Sequence, residues 1–237
     1  MFPEFALTHA WLIPLLPAVA FLIIGLFTRQ SKNTSAVIAI SLSALSFLLA
    51  IGVLCAVVSG SIVMAEPFVM KTLWAKIGHI ELTMGVLVDP LTAMMLMVVT
   101  TVSLLVQIYS VGYIAHDPAA GRFFAFLSLF AASMLGLVIS VNFLQMYVFW
   151  ELVGLCSYLL IGFYYYKDSA REAAKKAFIT TRIGDFGMLL GILLLQITVG
   201  TLDFIELRTF IPNYVWISGT STLTVIGLLL FIGPIGK

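Results

Sequence analysis

Long stretches without a charged side chain alternate with short charged segments along this chain of 237 residues. Four such stretches separate the charged pairs Glu4 and Arg29, Lys32 and Glu66, Asp89 and Asp117, and Arg208 and Lys237. A membrane-spanning helix needs about 20 predominantly apolar residues. The pattern therefore predicts spans near 8–28, 34–58, 90–114 and 216–236.

The middle of the chain contains a fifth apolar stretch that is long enough for two crossings. Residues 123–166 carry a single charge, Glu151. Because this length is about twice what one crossing needs, we predict two helices, near 122–140 and 143–165. The residues between them, 140–142, would form the turn.

Three further features complete the predicted architecture. A sixth helix is expected near 177–199, and the connection 59–89 contains alternating apolar residues at 79–86, which is typical of a short strand or hairpin. Two glycines and a proline in residues 232–237 predict that the last helix is broken near its end. The prediction is an all-α membrane protein with about seven transmembrane helices and an outer β-hairpin between helices 2 and 3.

The distribution of basic residues predicts the orientation and the division of the chain. Segments on one side hold seven Lys and Arg residues: Arg29, Lys32, Arg122, Lys167, Arg171, Lys175 and Lys176. Segments on the other side hold three: Lys71, Lys76 and Arg208. Because basic loops favour the inner side, the amino terminus is expected outside, which is periplasmic in a bacterium. Residues 1–115 would contain helices 1–3 with the hairpin, and residues 116–237 helices 4–7.

Composition supports the membrane assignment and limits the possible chemistry. Hydrophobic residues make up 62% of the chain and charged residues 10%, whereas a soluble domain has about half and about a quarter. A net charge of +1 gives no reason to expect a nucleic-acid partner. The two cysteines, Cys55 and Cys156, are fewer than an iron–sulfur cluster or a structural zinc site normally uses. We expect no metal and no cofactor on this chain.

Glu151 is the first candidate functional residue, because ionisable groups at membrane depth are costly and by default mark pathways or proton relays. It lies about nine residues into a helix that begins at Asn142, which places it ~14 Å deep, near the middle of the bilayer core. Burial at that depth disfavours the charged carboxylate, so the group can load and unload a proton. The alternative is a structural carboxylate paired permanently with an arginine.

Three more charged residues are candidates. Arg182 and Asp185 are three residues apart and share a helix face, where they would neutralise each other. The helix rise places Asp185 near the level of Glu151, and a structural role for this pair is as well supported as a functional one. Lys237 follows the glycine–proline segment, and is either a charge beside a helix break or a lysine that reaches the inner boundary.

Several motifs resemble one family. They are residues 121–126 (GRFFAF), 149–163 (FWELVGLCSYLLIGF), 175–178 (KKAF), 182–185 (RIGD) and 233–237 (GPIGK). Together they resemble subunit L of respiratory complex I, the bacterial NADH:quinone oxidoreductase, whose mitochondrial counterpart is subunit 5. The resemblance covers the whole chain, and the string from Trp150 to Tyr158 is its most specific part.

The resemblance implies a membrane-arm subunit that moves protons, coupled to quinone reduction in other subunits. By position, Glu151 matches the family's mid-membrane glutamate, Lys237 the lysine at its discontinuous helix, and Asp185 and Arg182 the charged residues of the sixth helix. NADH, FMN, iron–sulfur clusters and quinone are then expected on other subunits. The expected partners are neighbouring membrane-arm subunits, especially an adjacent antiporter-like one, together with lipids and protons, in a bacterial inner membrane.

The resemblance also implies a longer protein, because the family has well over a dozen helices in two inverted repeats. This chain would hold only the first part of the first repeat. One alternative function is the large subunit of a multi-subunit sodium/proton antiporter, which shares the Phe-Trp-Glu-Leu motif at 149–152. Another is a membrane subunit whose buried charges only hold helices together.

Overall fold

The structure, a computed structural model, describes residues 2–60, 66–77, 80–218 and 221–237. Its first elements are helices α1 (Phe2–Thr8), α2 (Leu12–Ile23, extended by a π-helical turn Ile24–Thr28) and α3 (Lys32–Val58), and strands β1 (Phe68–Ile77) and β2 (Ile80–Val88). The others are α4 (Pro90–Tyr113), α5 (Ala120–Val138), α6 (Phe143–Ile161), α7 (Asp168–Val199), α8 (Phe204–Ser218) and α9 (Ser221–Gly236). The chain is therefore mostly helical, with one two-stranded sheet among the described residues.

Within the described parts of the chain, five helices are long and apolar enough to cross a membrane: α3, α4, α5, α6 and α7. A sixth crossing results if α1 and α2 are taken together, although they are bent by 65°. Helix α9 is apolar but has only 16 residues. The expectation of a multi-pass membrane protein is confirmed.

The first predicted span, 8–28, is divided in the structure. Helix α1 ends at Thr8 and α2 begins at Leu12. Pro14 falls in the first turn of α2, where the missing backbone N–H needs no helical partner. A single apolar stretch therefore forms two helices, because the proline favours a helix start at this point.

Two other predicted boundaries also differ. Helix α7 begins nine residues before the predicted start, since Asp168 and Arg171 pair at 2.6 Å and Glu172 and Lys175 at 3.0 Å, and such i,i+3 pairs stabilise exposed helical turns. The predicted helix 216–236 corresponds to α9, and residues 216–218 belong to α8.

The predicted break before Lys237 is wrong for α9, which continues through Pro234 to Gly236. A proline removes one backbone donor, and its ring opposes the carbonyl four residues earlier. Pro234 lies in the last turn, where this loss affects only one hydrogen bond and does not end the helix.

The hairpin predicted within 59–89 is present as β1 and β2, which form an antiparallel pair. Most of the predicted strand 79–86 lies in β2, and His79 falls outside the described residues. The structure adds β1, which the sequence pattern did not resolve.

The chain forms two compact units. The first comprises Met1–Thr72 and Gly85–Ser140, and so includes α5, which the division at residue 115 placed in the second part. Its core contains small and branched side chains from α1, α3, β2, α4 and α5, such as Ala6, Val53 and Leu96. Helix packing in a membrane favours small interfacial residues, because they let backbones approach closely.

The second unit comprises Leu73–Met84 and Val141–Lys237. Asn142 connects three of its parts. Its side-chain oxygen accepts from the N–H of Gln145 at 2.7 Å, and its amide nitrogen donates to the carbonyl of Thr83 at 2.7 Å. Its backbone also forms an antiparallel bridge with Asp203, ahead of α8. The start of α6 is thereby connected to strand β2 and to the start of α8.

Candidate functional site

Helices α6 and α7 carry three of the four charged residues singled out by the sequence. Asn142 caps the first turn of α6, and the apolar residues that follow continue the helix without a break to Ile161. Helix α7 ends where Gly200 adopts a left-handed conformation with φ of 85°, as glycines commonly do after a helix. Glu151 in α6 and Arg182 and Asp185 in α7 therefore lie well inside two long helices.

Glu151 forms an ion pair with Arg182. The glutamate side chain is 20% exposed and that of Arg182 is 37% exposed. The guanidinium group of Arg182 also lies over the ring of Phe178, 4.6 Å from its centroid. The two charges therefore compensate each other between neighbouring helices, as the structural alternative for Glu151 predicts.

Asp185 is paired differently from the sequence expectation. It is 1% exposed, and its Oδ1 accepts a hydrogen bond from the indole Nε1 of Trp150 at 2.7 Å. Its Oδ2 is buried and has no hydrogen-bond donor among the described residues. Helical spacing suggested that Arg182 and Asp185 neutralise each other, but the structure pairs each with a residue of α6 because the side chains extend toward the facing helix.

Lys237 lies beside the same part of α6. Its ammonium group donates to the backbone carbonyl of Trp150 and lies 4.8 Å from the centroid of the Trp150 ring. A Cβ atom placed on Gly154 would be 3.2 Å from Nζ of Lys237 and 4.0 Å from Oδ2 of Asp185. The lysine and the aspartate thus flank the same glycine, although Lys237 is exposed as a whole residue.

Close contact between α7 and α9 brings Lys237 to this position. A Cβ atom on Gly184 would lie 2.9 Å from the Cα of Gly236, and one on Gly187 would lie 2.7 Å from a methyl carbon of Ile232. A side chain larger than hydrogen does not fit at either glycine, because Gly184 meets backbone atoms of α9 and Gly187 meets the side chain of Ile232. Because Gly236 precedes Lys237, this contact fixes where the lysine leaves α9.

The structure thus brings all four predicted residues to α6, α7 and the end of α9, and we call Glu151, Arg182, Asp185 and Lys237 the charge cluster. Sequence reasoning missed Trp150 as a member of the site. An aromatic residue in an apolar helix is usually lipid-facing or core. The available signals were its position next to Glu151 and its place at the start of the motif string 150–158.

The charge cluster contains three groups that can exchange a proton and one group that stays charged. Two carboxylates and one amine can gain or lose a proton, whereas the guanidinium remains charged. Ionisable groups of this kind inside a membrane are typical of proton relays.

Two family profiles match the chain. The first is described as the amino terminus of chain 5 of NADH-ubiquinone oxidoreductase (complex I), and it matches residues 74–124. The second is described as the transmembrane region of NADH:quinone oxidoreductase and Mrp antiporters, and it matches residues 140–237. The second match contains the whole charge cluster.

Individual relatives agree with these matches. NAD(P)H-quinone oxidoreductase chain 5 of Picosynechococcus sp. is 44% identical over 238 residues, which cover 97% of this chain and 35% of the relative. The chloroplastic subunit 5 of Zygnema circumcarinatum is 45% identical, with 97% and 33% covered. The chain spans about a third of the length of these relatives and corresponds to their amino-terminal part.

Solved structures share the fold. The membrane-bound sulfane sulfur reductase, an archaeal respiratory membrane complex, contains a chain that matches 95% of this one with a TM-score of 0.78 and 19% identity. The match covers 44% of that chain. The Mrp complex from Dietzia sp. matches 94% of this chain with a TM-score of 0.74 and 25% identity, over 23% of its own chain.

The profile matches, the relatives and the shared fold agree with one another and with the motifs around Glu151. The chain belongs to the family of antiporter-like membrane subunits represented by chain 5 of the NAD(P)H-quinone oxidoreductases.

Proposed function

We propose that the chain is the amino-terminal part of a membrane-arm subunit of a proton-pumping NADH:quinone oxidoreductase, in which it helps to translocate protons coupled to quinone reduction elsewhere in the complex. The observation that carries the proposal is the charge cluster, because four ionisable side chains from α6, α7 and α9 come together within apolar helices. Charges at membrane depth are costly, and by default they mark pathways or proton relays.

In this proposal Glu151 and Lys237 load and release protons, while Arg182 and Asp185 are the accompanying charges. The pairing of Glu151 with Arg182 supports a resting arrangement in which the glutamate is compensated. The place of Lys237 beside Asp185 gives the lysine its own carboxylate neighbour. Proton movement would then change the pairing within the charge cluster.

The finer topology is part of the same proposal. Seven crossings result if α1 with α2 counts as one bent span and if α9 also crosses. The excess of basic residues in the inner segments supports an amino terminus on the periplasmic side of a bacterial cell membrane. Neighbouring antiporter-like subunits are the proposed partners, and the redox cofactors and quinone are proposed to bind other subunits.

The test is Glu151→Gln in the full-length subunit within its native complex. NADH-driven proton uptake by inverted membrane vesicles is measured together with NADH:quinone electron transfer and with the amount of assembled complex. We expect proton uptake per NADH oxidised to fall markedly while the complex remains assembled, because the substitution removes the intramembrane carboxylate and preserves its shape.

Glu172→Gln is the matched control, because Glu172 is an exposed carboxylate of the same size that pairs with Lys175 near the start of α7. We expect this control to pump normally. Normal pumping by Glu151→Gln would contradict the proposal and leave Glu151 a structural charge. Unchanged NADH activity with loss of sodium/proton exchange would instead identify the antiporter alternative.

A further inference from the structure

We propose that Trp150 and Gly154 are positioning residues that hold the ammonium group of Lys237 beside Asp185. The inference rests on the proposed proton-translocating function, because it concerns how one of the titrating groups is kept in place. Neither residue exchanges a proton itself. Both act through the neighbours that they contact on α7 and at the end of α9.

The two residues are four apart in α6, so they lie on one face of the helix. Trp150 contacts both charged neighbours. Its indole N–H donates to Oδ1 of Asp185 at 2.7 Å, whereas its carbonyl oxygen and its ring contact the ammonium group of Lys237. One residue therefore orients the carboxylate through its side chain and binds the lysine through its backbone and its ring face.

Glycine at position 154 makes the backbone contact possible. In an α-helix the carbonyl of residue 150 accepts from the N–H of residue 154 and retains a second lone pair. Each Cα–Cβ bond points toward the helix amino terminus, so a side chain at 154 would cover that carbonyl. The missing Cβ leaves room for Nζ of Lys237, which lies 3.2 Å from the position that a Cβ would take.

The ring of Trp150 adds a second attraction. A cation within ~6 Å of an indole centroid is attracted by the negative face of the ring, and tryptophan is the strongest such partner. Nζ of Lys237 lies 4.8 Å from this centroid. The carbonyl and the ring therefore both attract the ammonium group to this place.

The position of Asp185 completes the arrangement. Its Oδ1 is bound by Trp150, and this bond determines where Oδ2 points. Oδ2 is buried, has no donor among the described residues and lies 4.0 Å from the Cβ position of Gly154. This carboxylate oxygen and the ammonium group of Lys237 thus both lie close to the Cβ position of Gly154, on the same side of α6.

The principal test is Gly154→Ala in the full-length subunit within its native complex. Alanine favours a helix more than glycine does, so a defect cannot be attributed to loss of helix propensity. The added methyl group would lie closer to Nζ of Lys237 than the ~3.5–4.0 Å of an ordinary contact and would displace the ammonium group. We expect less proton uptake per NADH oxidised in inverted vesicles, with normal assembly.

Trp150→Phe is the second variant, because phenylalanine keeps the backbone carbonyl and an aromatic face but lacks the N–H donor to Asp185. Gly227→Ala is the matched control, since Gly227 is a glycine of α9 with no atom within 4 Å of its Cβ position. Proton uptake is measured across pH for all three. We expect the pH midpoint to move in the same direction in Gly154→Ala and Trp150→Phe, and to stay unchanged in Gly227→Ala.

The pH profile separates positioning from a merely structural role, because a structural defect lowers the whole profile without moving its midpoint. An unmoved midpoint in assembled Gly154→Ala would overturn the inference. If that variant does not assemble, Trp150→Phe decides in the same way. Glu151→Gln is measured in parallel: if it loses pumping while both positioning variants behave normally, this inference fails and the proposed function stands. If Glu151→Gln pumps normally, the proposed function fails.

Discussion

Oγ of Ser46 in α3 donates a hydrogen bond of 2.6 Å to the backbone carbonyl of Ile13 in α2, and both residues are buried. This carbonyl would normally accept from the N–H of residue 17, but residue 17 is a proline and has none. Within the first unit, a hydroxyl of a neighbouring helix thus replaces the donor that Pro17 removes.

Replacing Ser46 with alanine is expected to destabilise the protein by about 1–3 kcal/mol, because a buried carbonyl loses its donor. Ser41→Ala on the exposed side of α3 is the matched control and should leave the stability unchanged. Thermal unfolding of the purified protein in detergent measures both. Equal unfolding temperatures for the two variants would show that Ser46 does not supply the missing hydrogen bond.

Gly184→Ala is expected to separate α7 from α9. The new methyl group would lie 2.9 Å from the Cα of Gly236 and 3.0 Å from the carbonyl oxygen of Ile232, and backbone atoms cannot rotate away. Overpacking of this kind costs about 1–3 kcal/mol.

Gly227→Ala, with open space around its Cβ position, should instead be neutral or stabilise α9 by up to ~1 kcal/mol, the difference in helix propensity between the two residues. The two variants are compared by their thermal unfolding midpoints. The opposite order of stability would mean that α7 and α9 are not in backbone contact.

Asn142 has two functions that a pair of substitutions can separate. Asn142→Asp keeps the oxygen that caps α6 but loses the amide donor to Thr83, whereas Asn142→Ala loses both. Loss of a cap costs about 1 kcal/mol. Hydrogen exchange of the Gln145 amide should therefore become faster only in the alanine variant, and exchange in residues 82–84 should become faster in both.

The ion pair of Glu151 and Arg182 should be visible in stability as well as in pumping. Removing one partner leaves a partly buried charge without compensation, so Glu151→Gln and Arg182→Gln should each destabilise the protein. The double variant should lose less unfolding free energy than the two single variants lose together, with a coupling free energy of about 0.5–3 kcal/mol. Strictly additive losses would mean that the two side chains do not interact.

The sequence alone was sufficient to predict most of the membrane helices, because charged residues are excluded from apolar spans and mark their ends. Helices α3, α4, α5 and α6 begin and end within a few residues of the predicted positions. The sequence was insufficient at prolines, because the effect of a proline on a helix depends on its position in that helix. Pro14 lies in the first turn of α2, close to a helix start, whereas Pro234 lies in the last turn of α9 and does not end that helix.

The candidate site shows the same limit in its pairing. The sequence singled out Glu151 and Asp185 by depth, and Arg182 by its distance of three residues from Asp185. The spacing of residues within one helix does not determine how that helix is rotated about its axis relative to the neighbouring helix. Only the structure therefore shows that Arg182 pairs with Glu151 and that Asp185 pairs with Trp150.

The glycines that join α7 to α9 have a mechanical consequence. Gly184 and Gly236 are in backbone contact, and the side chain of Ile232 packs against Gly187. Because the fit is close at both glycines, we expect a shift of one helix along the other to produce steric clashes. A displacement of α7 is therefore expected to carry the last residue of α9 with it. A change in the distance between Nζ of Lys237 and Trp150 must then come either from rotation of the lysine side chain or from movement between α6 and these two helices.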